Sequence, residues 1–509
     1  GEYIGLYALS EKIKRDGDRV DIAKISDDEN SLPEITGGYI IQTDRTGGDN
    51  PPEAWNNNGA GYIHEKPNSD DITSQQSSYI ESVFRDLDDN ATNPNIISGY
   101  PSIIDVPSFL DYILVAEIAS NVDAYALSTY YHKDKGGKLR AGPVWDYNLT
   151  YGNDLFDFFG VNYDRSFTDV WQFNFSNTGA YFWGDLFNDP KFKCYLSKRF
   201  NEVTNTGEPL NYEYISSLID STTALISEAV VRENEKWDTI DDFAGEIANI
   251  KIWLQERITW MRNDLGAFSN CDNVQTPSLV ITKIHYNPQE TVEFPESDDL
   301  EFIEIKNTGS TIVALTGVYL VKLGVSYQFP QNATIAAGES LYLVGDATTF
   351  QNKYGIIPFD TFTRDLSNKS QNLVLSDAFG NLIDQVEYSD KEPWPESADG
   401  DGFYLELIDV NLDNSLAINW VATSSEVLSA NGYDNSDVNF TVYPNPTKEK
   451  LFINSEQTIQ KIVIFNLLGQ QIRTFKVNFK SGEINISKLN KGMYFLNLKL
   501  INGGSISTK

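Results

Sequence analysis

Histidine is nearly missing from this chain. The three present, His64, His132 and His285, lie far apart and beside no cysteine cluster, so the ligand spacing of a zinc site is absent. Cysteine is scarcer still, with only Cys194 and Cys271. A disulfide in an oxidising compartment and two buried thiols are both open, because spacing and number do not decide between them. No run approaches the roughly 18 apolar residues that a membrane span requires. Positive charge is also short: 39 Lys and Arg stand against 73 Asp and Glu, a formal net charge of −34. A chain so acidic repels phosphate backbones and anionic bilayers, which excludes nucleic acid as its partner. Residue 1 is Gly and no signal peptide opens the chain. The first residues already read as a strand, and the chain is expected to be a fragment starting inside a domain.

What is present is ample for several packed domains: 509 residues, 40% hydrophobic and 13% aromatic. The charge is uneven. Residues 441–509 hold ten Lys and Arg against three Glu, a local balance of +7 that leaves −41 to the rest. A sign change of that size marks a boundary between separately used modules.

Residues 1–270 read as an α+β domain. Glu2 to Ser10, Val20 to Ile25 and Gly38 to Thr43 have strand composition. The charged run Glu11-Lys12-Ile13-Lys14-Arg15-Asp16 is either a solvated strand end or a set of phosphate-facing cations with an acidic partner. Ser74 to Leu87, Tyr181 to Thr204, Leu210 to Trp237 and Ile240 to Leu265 have helical patterning. The central stretch is Ser108 to Asn153. Pro107 suits a first helical turn, and Leu110, Ile113, Leu114 and Ile118 share one helical face. Asn121-Val122-Asp123 ends that helix. Ala124 to His132 and Lys138 to Trp145 form a hairpin around Asp134-Lys135-Gly136-Gly137, and Asp146 follows the return strand. A hairpin brings its second strand back to where the first began, so Asp123 and Asp146, 23 residues apart, can face one site. Two such carboxylates can hold Mg²⁺, or one can hold metal while the other orients a hydroxyl. An Asp after a helix is also an ordinary cap, and an Asp after a strand is ordinarily solvated.

From about residue 276 to 424 the texture is all β. LVITKIHYNP, EFIEIKNTG, VALTGVYLV and NLIDQVEYSD are short runs separated by Gly, Asn, Asp and Pro, the signature of a sandwich. Residues 425–440 read as a Ser/Asn/Asp-rich linker, and residues 441–509 as a small all-β module.

Three families are resembled. GEYIGLYALSEKI, DRVDIAKI, GGYIIQTD, NVDAYALSTYYHKD and GKLRAGPVWDYNLTYGN occur in order, and WGDLFNDPKFKCYLSKRF follows. Together they make residues 1–270 similar to the CotH kinase family. The resemblance implies an atypical-kinase-like fold that binds ATP with Mg or Mn and phosphorylates proteins. It gives Asp123 the catalytic-loop role and Asp146 the metal-binding role, with Glu11 and Lys12 on the nucleotide side. Kinase loops carry a second metal ligand, an Asn, about five residues after the loop Asp. Here that position is Ser128, and Asn148 is the substitute. The first strand would lie well inside the family's domain, so much of the nucleotide-binding lobe is expected outside this chain. DDLEFIEIKNTG, AAGESLYLVGD and EPWPESADGDGFYLELID make residues 276–424 resemble a lamin-tail domain, an immunoglobulin-like β-sandwich used as a spacer or binding module. Glu396, Asp399 and Asp401 are its candidate Ca²⁺ ligands, or a solvated turn. VYPNPT, KIVIFNLLGQQI and ISKLNKGMYFLNL make residues 441–509 resemble the C-terminal sorting domain of the type IX secretion system. That implies export by this machinery in a Bacteroidota-type, Gram-negative bacterium, to the outer-membrane surface or beyond. Two functions remain. One is an exported kinase acting on Ser or Thr of extracytoplasmic proteins. The other is a non-catalytic surface scaffold or binding protein on a kinase-like fold.

Overall fold

The computed structural model describes residues 3–47, 51–153, 155–158, 161–175, 179–238, 242–322, 324–425, 440–444, 446–465, 471–492, 494–500 and 505–508. The first domain is α+β. Its strands β1 (Tyr39–Thr43), β2 (Trp55–Asn57) and β3 (Ala60–Lys66) precede the helices α1 (Ser74–Asn90), α2 (Tyr100–Ile103) and α3 (Val106–Ala119). The hairpin β4 (Thr129–Lys133) and β5 (Leu139–Val144) completes an antiparallel five-stranded sheet in the order β2-β3-β1-β4-β5. A small pair, β6 (Leu155–Phe158) and β7 (Val161–Asp164), precedes four helices. These are α4 (Phe182–Asn188), α5 (Pro190–Thr204), α6 (Tyr212–Trp237) and α7 (Phe243–Leu265).

Local chemistry explains these boundaries. Thr73 and Gln76 form a capping box that starts α1, whose Ile80, Phe84 and Leu87 are buried. Asp105 caps α3 by accepting from the Ser108 N–H (2.9 Å), with Pro107 in the first turn. Ten of the fourteen α3 residues are buried, so it is a core helix rather than an amphipathic surface one.

Several expected elements differ. Residues 181–204 are two helices, because Asp189 accepts from the N–H groups of Lys191 and Phe192 and Pro190 restarts the chain. The stretch 2–10 is not a strand over its described residues: no strand pairs with it, and it lies on α6 through Tyr3 and Leu6, which both donate to Glu233. Val20 to Ile25 also stays outside the sheet, and Ala23 N–H donates to the Asp134 carboxylate instead (2.8 Å). The strand expected from Ala124 begins only at Thr129, since residues 124–128 form a turn.

The second domain is a sandwich with its own core, centred on Ile281, Ile303, Ile305, Leu343, Leu375, Val386 and Leu405. Its strands are β8 (Leu279–His285), β9 (Phe302–Asn307), β10 (Val313–Ala314), β11 (Tyr319–Leu320), β12 (Thr334–Ile335) and β13 (Ser340–Val344). After the helix α8 (Ala347–Tyr354) come β14 (Asp360–Thr361), β15 (Ser370–Ser376), β16 (Leu382–Ser389), β17 (Phe403–Leu407) and β18 (Trp420–Ser424). One sheet runs β14-β13-β9-β8-β17-β18 and the facing one β11-β15-β16. Except for its end residues, the linker expected at 425–440 lies outside the described residues.

The last module contains β19 (Phe440–Tyr443), β20 (Lys450–Phe465), β21 (Gln471–Asn485), β22 (Phe495–Leu500) and β23 (Ser505–Thr508). The long β20 pairs with β19, β21 and β22. Residues 450–456 alternate exposed and buried, the period of a half-solvated strand.

Candidate functional site

The hairpin β4–β5 separates two loops, and the structure sets those loops side by side. Val122 N–H donates to Leu149 O (3.4 Å) and Tyr151 N–H donates to Ala119 O (2.7 Å). The first loop carries Asp123 and the second carries Asp146 and Asn148. Asp123 is half-buried; Asp146 and Asn148 are exposed.

The Asp123 loop is held from within. Asp123 N–H donates to Asn121 Oδ1 (3.2 Å) and its carbonyl accepts from Leu127 N–H (2.8 Å). Tyr125 N–H donates to Thr129 Oγ1 (2.9 Å), which also pairs with Tyr112 Oη (2.9 Å). Of the ten described non-glycine residues with positive φ, five fall here: Ser120, Tyr125, Ser128, Asp146 and Tyr151. Such backbone is costly for L-residues and persists only where the surroundings over-determine it.

Beneath the loop lies a pair of residues that sequence reasoning missed. Glu117, on the last turn of α3, is fully buried against Arg257 of α7 (Oε2–Nη2 2.8 Å). Its other partners are Tyr125 Oη (2.9 Å) and the N–H groups of Gln172 (3.0 Å) and Phe173 (3.3 Å). Arg257 in turn donates to the carbonyls of Glu117 (2.8 Å), Thr168 (2.9 Å) and Val170 (2.5 Å). Burial pushes the Glu117 carboxyl upward, and Arg257 opposes that push. The only sequence signal was one carboxylate inside the apolar run ILVAEIA. Its partner lies 140 residues away and gave none.

Among the described residues, neither nucleotide-side candidate makes a hydrogen bond or ion pair to these loops. Glu11 is exposed and pairs with Lys14 (2.7 Å) and Arg19 (2.5 Å), not with Lys12, which is exposed. The hydrogen bond from Lys14 lowers the Glu11 pKa. In the sandwich, Asp399 accepts from Asn287 Nδ2 (2.6 Å). Among the described residues no three His, Cys, Asp or Glu side chains form a group able to hold a metal ion, and Glu396, Asp399 and Asp401 are not such a group. A kinase magnesium site needs less, namely one or two carboxylates together with substrate phosphates. The oxygen donors of Asp146 and Asn148, on a loop bonded to that of Asp123, fit that use.

Residues 1–261, just over half of the chain, match the family model described as CotH kinase protein. The chain belongs to the CotH kinase protein family. Behind its CotH domain, residues 273–390 match the Lamin Tail Domain and residues 441–509 match the Secretion system C-terminal sorting domain. The sandwich sheet continues past the matched residues, through β17 and β18. No curated protein matches the chain. The crystal structure of dimeric latent PorU from Porphyromonas gingivalis aligns over 47% of this chain and 20% of that one, at 10% identity and a TM-score of 0.12. So low a score carries no argument.

The sorting domain marks this CotH family member for export, secreted or at the cell surface, and implies contact with the secretion machinery. Among the described residues no helix is long and apolar enough to cross a membrane. Cys194 and Cys271 form a disulfide (Cα–Cα 6.0 Å) that ties α5 to the segment after α7. A bond of that kind belongs to an oxidising compartment, in keeping with export.

Proposed function

We propose that this protein is an exported CotH-type kinase that transfers the γ-phosphoryl group of ATP to Ser or Thr of extracytoplasmic proteins. The observation that carries the reading is the hydrogen bonding between the Asp123 and Asp146 loops, Val122 to Leu149 and Tyr151 to Ala119. It holds two carboxylate-bearing loops in register across a hairpin, on strained backbone that the Glu117–Arg257 pair supports from below.

In this reading Asp123 accepts a hydrogen bond from the acceptor hydroxyl, aims its oxygen at the γ-phosphorus and takes up its proton. The new O–P bond forms as the bond between the γ-phosphorus and the bridging oxygen breaks, and ADP leaves. Asp146 and Asn148 would hold Mg or Mn, which supplies positive charge against the phosphate oxygens.

A second reading, a non-catalytic surface scaffold or binding protein, is favoured by Glu11. Its carboxylate is taken by Lys14 and Arg19 rather than by Lys12, and Ser128 stands where a metal-binding Asn is usual. One experiment separates the two: incubation with labelled ATP and Mn²⁺ or Mg²⁺, beside Asp146→Ala. Label on the wild type that vanishes in the variant supports the kinase. Absent or equal label in both leaves the scaffold.

A further inference from the structure

The lamin-tail module would be a spacer if it merely followed the CotH domain. Its contacts are of another kind. The turn between β15 and β16, Asp377 to Asn381, enters the core of the first domain. Phe379 is buried, stacks on Tyr195 of α5 (5.2 Å between centroids, 10° apart) and stands edge-on to Tyr100 of α2 (6.3 Å). Lys191 Nζ lies 3.9 Å above its ring, and Asn381 Nδ2 donates to Tyr195 Oη (2.8 Å). The fit is close enough that a Cβ on Gly380 would sit 2.2 Å from Pro107 Cγ at the start of α3.

A second set of contacts grips the tip of the β4–β5 hairpin. Arg364 pairs with Asp134 (3.0 Å) and Asp21 (2.5 Å). Thr363 Oγ1 donates to Lys135 O (2.7 Å) and Gln328 Nε2 donates to Gly136 O (2.9 Å). Beside them Lys138 Nζ sits 3.6 Å over the Tyr319 ring, and Tyr319 Oη donates to Asp105, the cap of α3 (3.1 Å). Arg140 of β5 pairs with the same Asp105 (2.9 Å) and donates to Val321 O (2.7 Å). Asp105, Asp134 and Lys138 are 1%, 2% and 6% exposed. Charges so deeply covered are stable only while paired or hydrogen-bonded, so the interface is built to stay closed.

Both grips fall on elements that carry the aspartate loops, at their far ends. α3 starts under Phe379 and Tyr319 and ends at the Asp123 loop. The β4–β5 hairpin turns under Arg364 and opens onto Asp123 and Asp146. We infer that the lamin-tail module is a docked clamp on α3 and the β4–β5 hairpin, an interaction surface whose partner is this chain's own CotH domain. The clamp gains a catalytic consequence if the kinase reading holds, but the docking itself does not rest on it.

Hydrogen exchange of the full chain, read without nucleotide, tests the docking whether or not phosphoryl transfer is found. In Phe379→Ala/Arg364→Ala, amides of α3 and of the β4–β5 hairpin are expected to exchange about tenfold faster or more, while β8 and β9 keep their protection. Unchanged exchange in α3 and the hairpin overturns the clamp. If the double variant also loses protection in β8 and β9, Arg364→Ala alone is read by the same criterion at the hairpin amides. A variant on the free face of the same module, Ile312→Ala, whose side chain is 65% exposed, is expected to change neither region. Equal loosening by Ile312→Ala also overturns the clamp.

Discussion

Glu117 and Arg257 meet at 2.8 Å with no exposure of either side chain, joining the helix that leads to Asp123 to the last helix of the CotH domain. The side-chain polar atoms of the pair are engaged by one another, by Tyr125, Gln172 and Phe173, and by the carbonyls of residues 117, 168 and 170. Removing one partner from such a pair leaves a buried charge uncompensated. Arg257→Met is therefore expected to lose about 3–5 kcal/mol of stability. Urea unfolding checks this, and Glu117→Gln/Arg257→Met is expected to lose less than the two single changes summed.

Asp123 is the proposed acceptor of the hydroxyl proton. Asp123→Asn keeps the size of the side chain and removes its basicity. It is expected to lower kcat for phosphoryl transfer by about 10²-fold or more, with KM for ATP little changed. Steady-state kinetics at saturating Mn²⁺ would show it, and an unchanged kcat would assign the proton to another group.

Glu301 sets a pH dependence in the sandwich. It is buried, accepts from Leu366 N–H (2.7 Å), and burial raises its pKa to about 9. The folded state thus binds a proton that the unfolded state releases near the ordinary carboxylate pKa of about 4.3. This contribution is complete below that value and is lost as pH rises through about 9. Relative to Glu301→Gln, the wild type is expected to lose about 4 kcal/mol between pH 5 and pH 8. Denaturation across that range decides, and parallel curves for the two proteins would place the carboxyl in contact with water.

The disulfide closes a long loop, Cys194 to Cys271, at the point where the CotH domain gives way to the lamin-tail module. Cys194→Ser/Cys271→Ser is expected to cost about 2–5 kcal/mol. Reducing agent is expected to lower the melting temperature of the wild type and leave that of the variant unchanged.

Much of the architecture was legible because it is periodic. α3 showed in the spacing of Leu110, Ile113, Leu114 and Ile118, the β4–β5 hairpin in its Asp-Lys-Gly-Gly turn, and the sandwich in short runs punctuated by Gly and Pro. The misreadings have two causes. Glu2 to Ser10 has strand composition, but a strand also needs a neighbour to take its hydrogen bonds, and among the described residues no strand pairs with this stretch. The long helix expected at 181–204 broke because a cap and a proline act locally, beneath the apolar period that suggested it.

By itself the sequence determined the order of the modules, the three family resemblances, the acidic body with its basic tail, and the pair Asp123 and Asp146 on either side of a hairpin. These depend on neighbours along the chain and on composition, which need no folding to be read. Only the tertiary structure decided that the two aspartate loops hydrogen-bond to each other, that Glu117 finds Arg257, that Cys194 finds Cys271, and that Phe379 and Arg364 reach back to the domain before them. Each joins residues tens to hundreds of positions apart, and such contacts form only when the chain has collapsed and a buried charge or ring must find its partner.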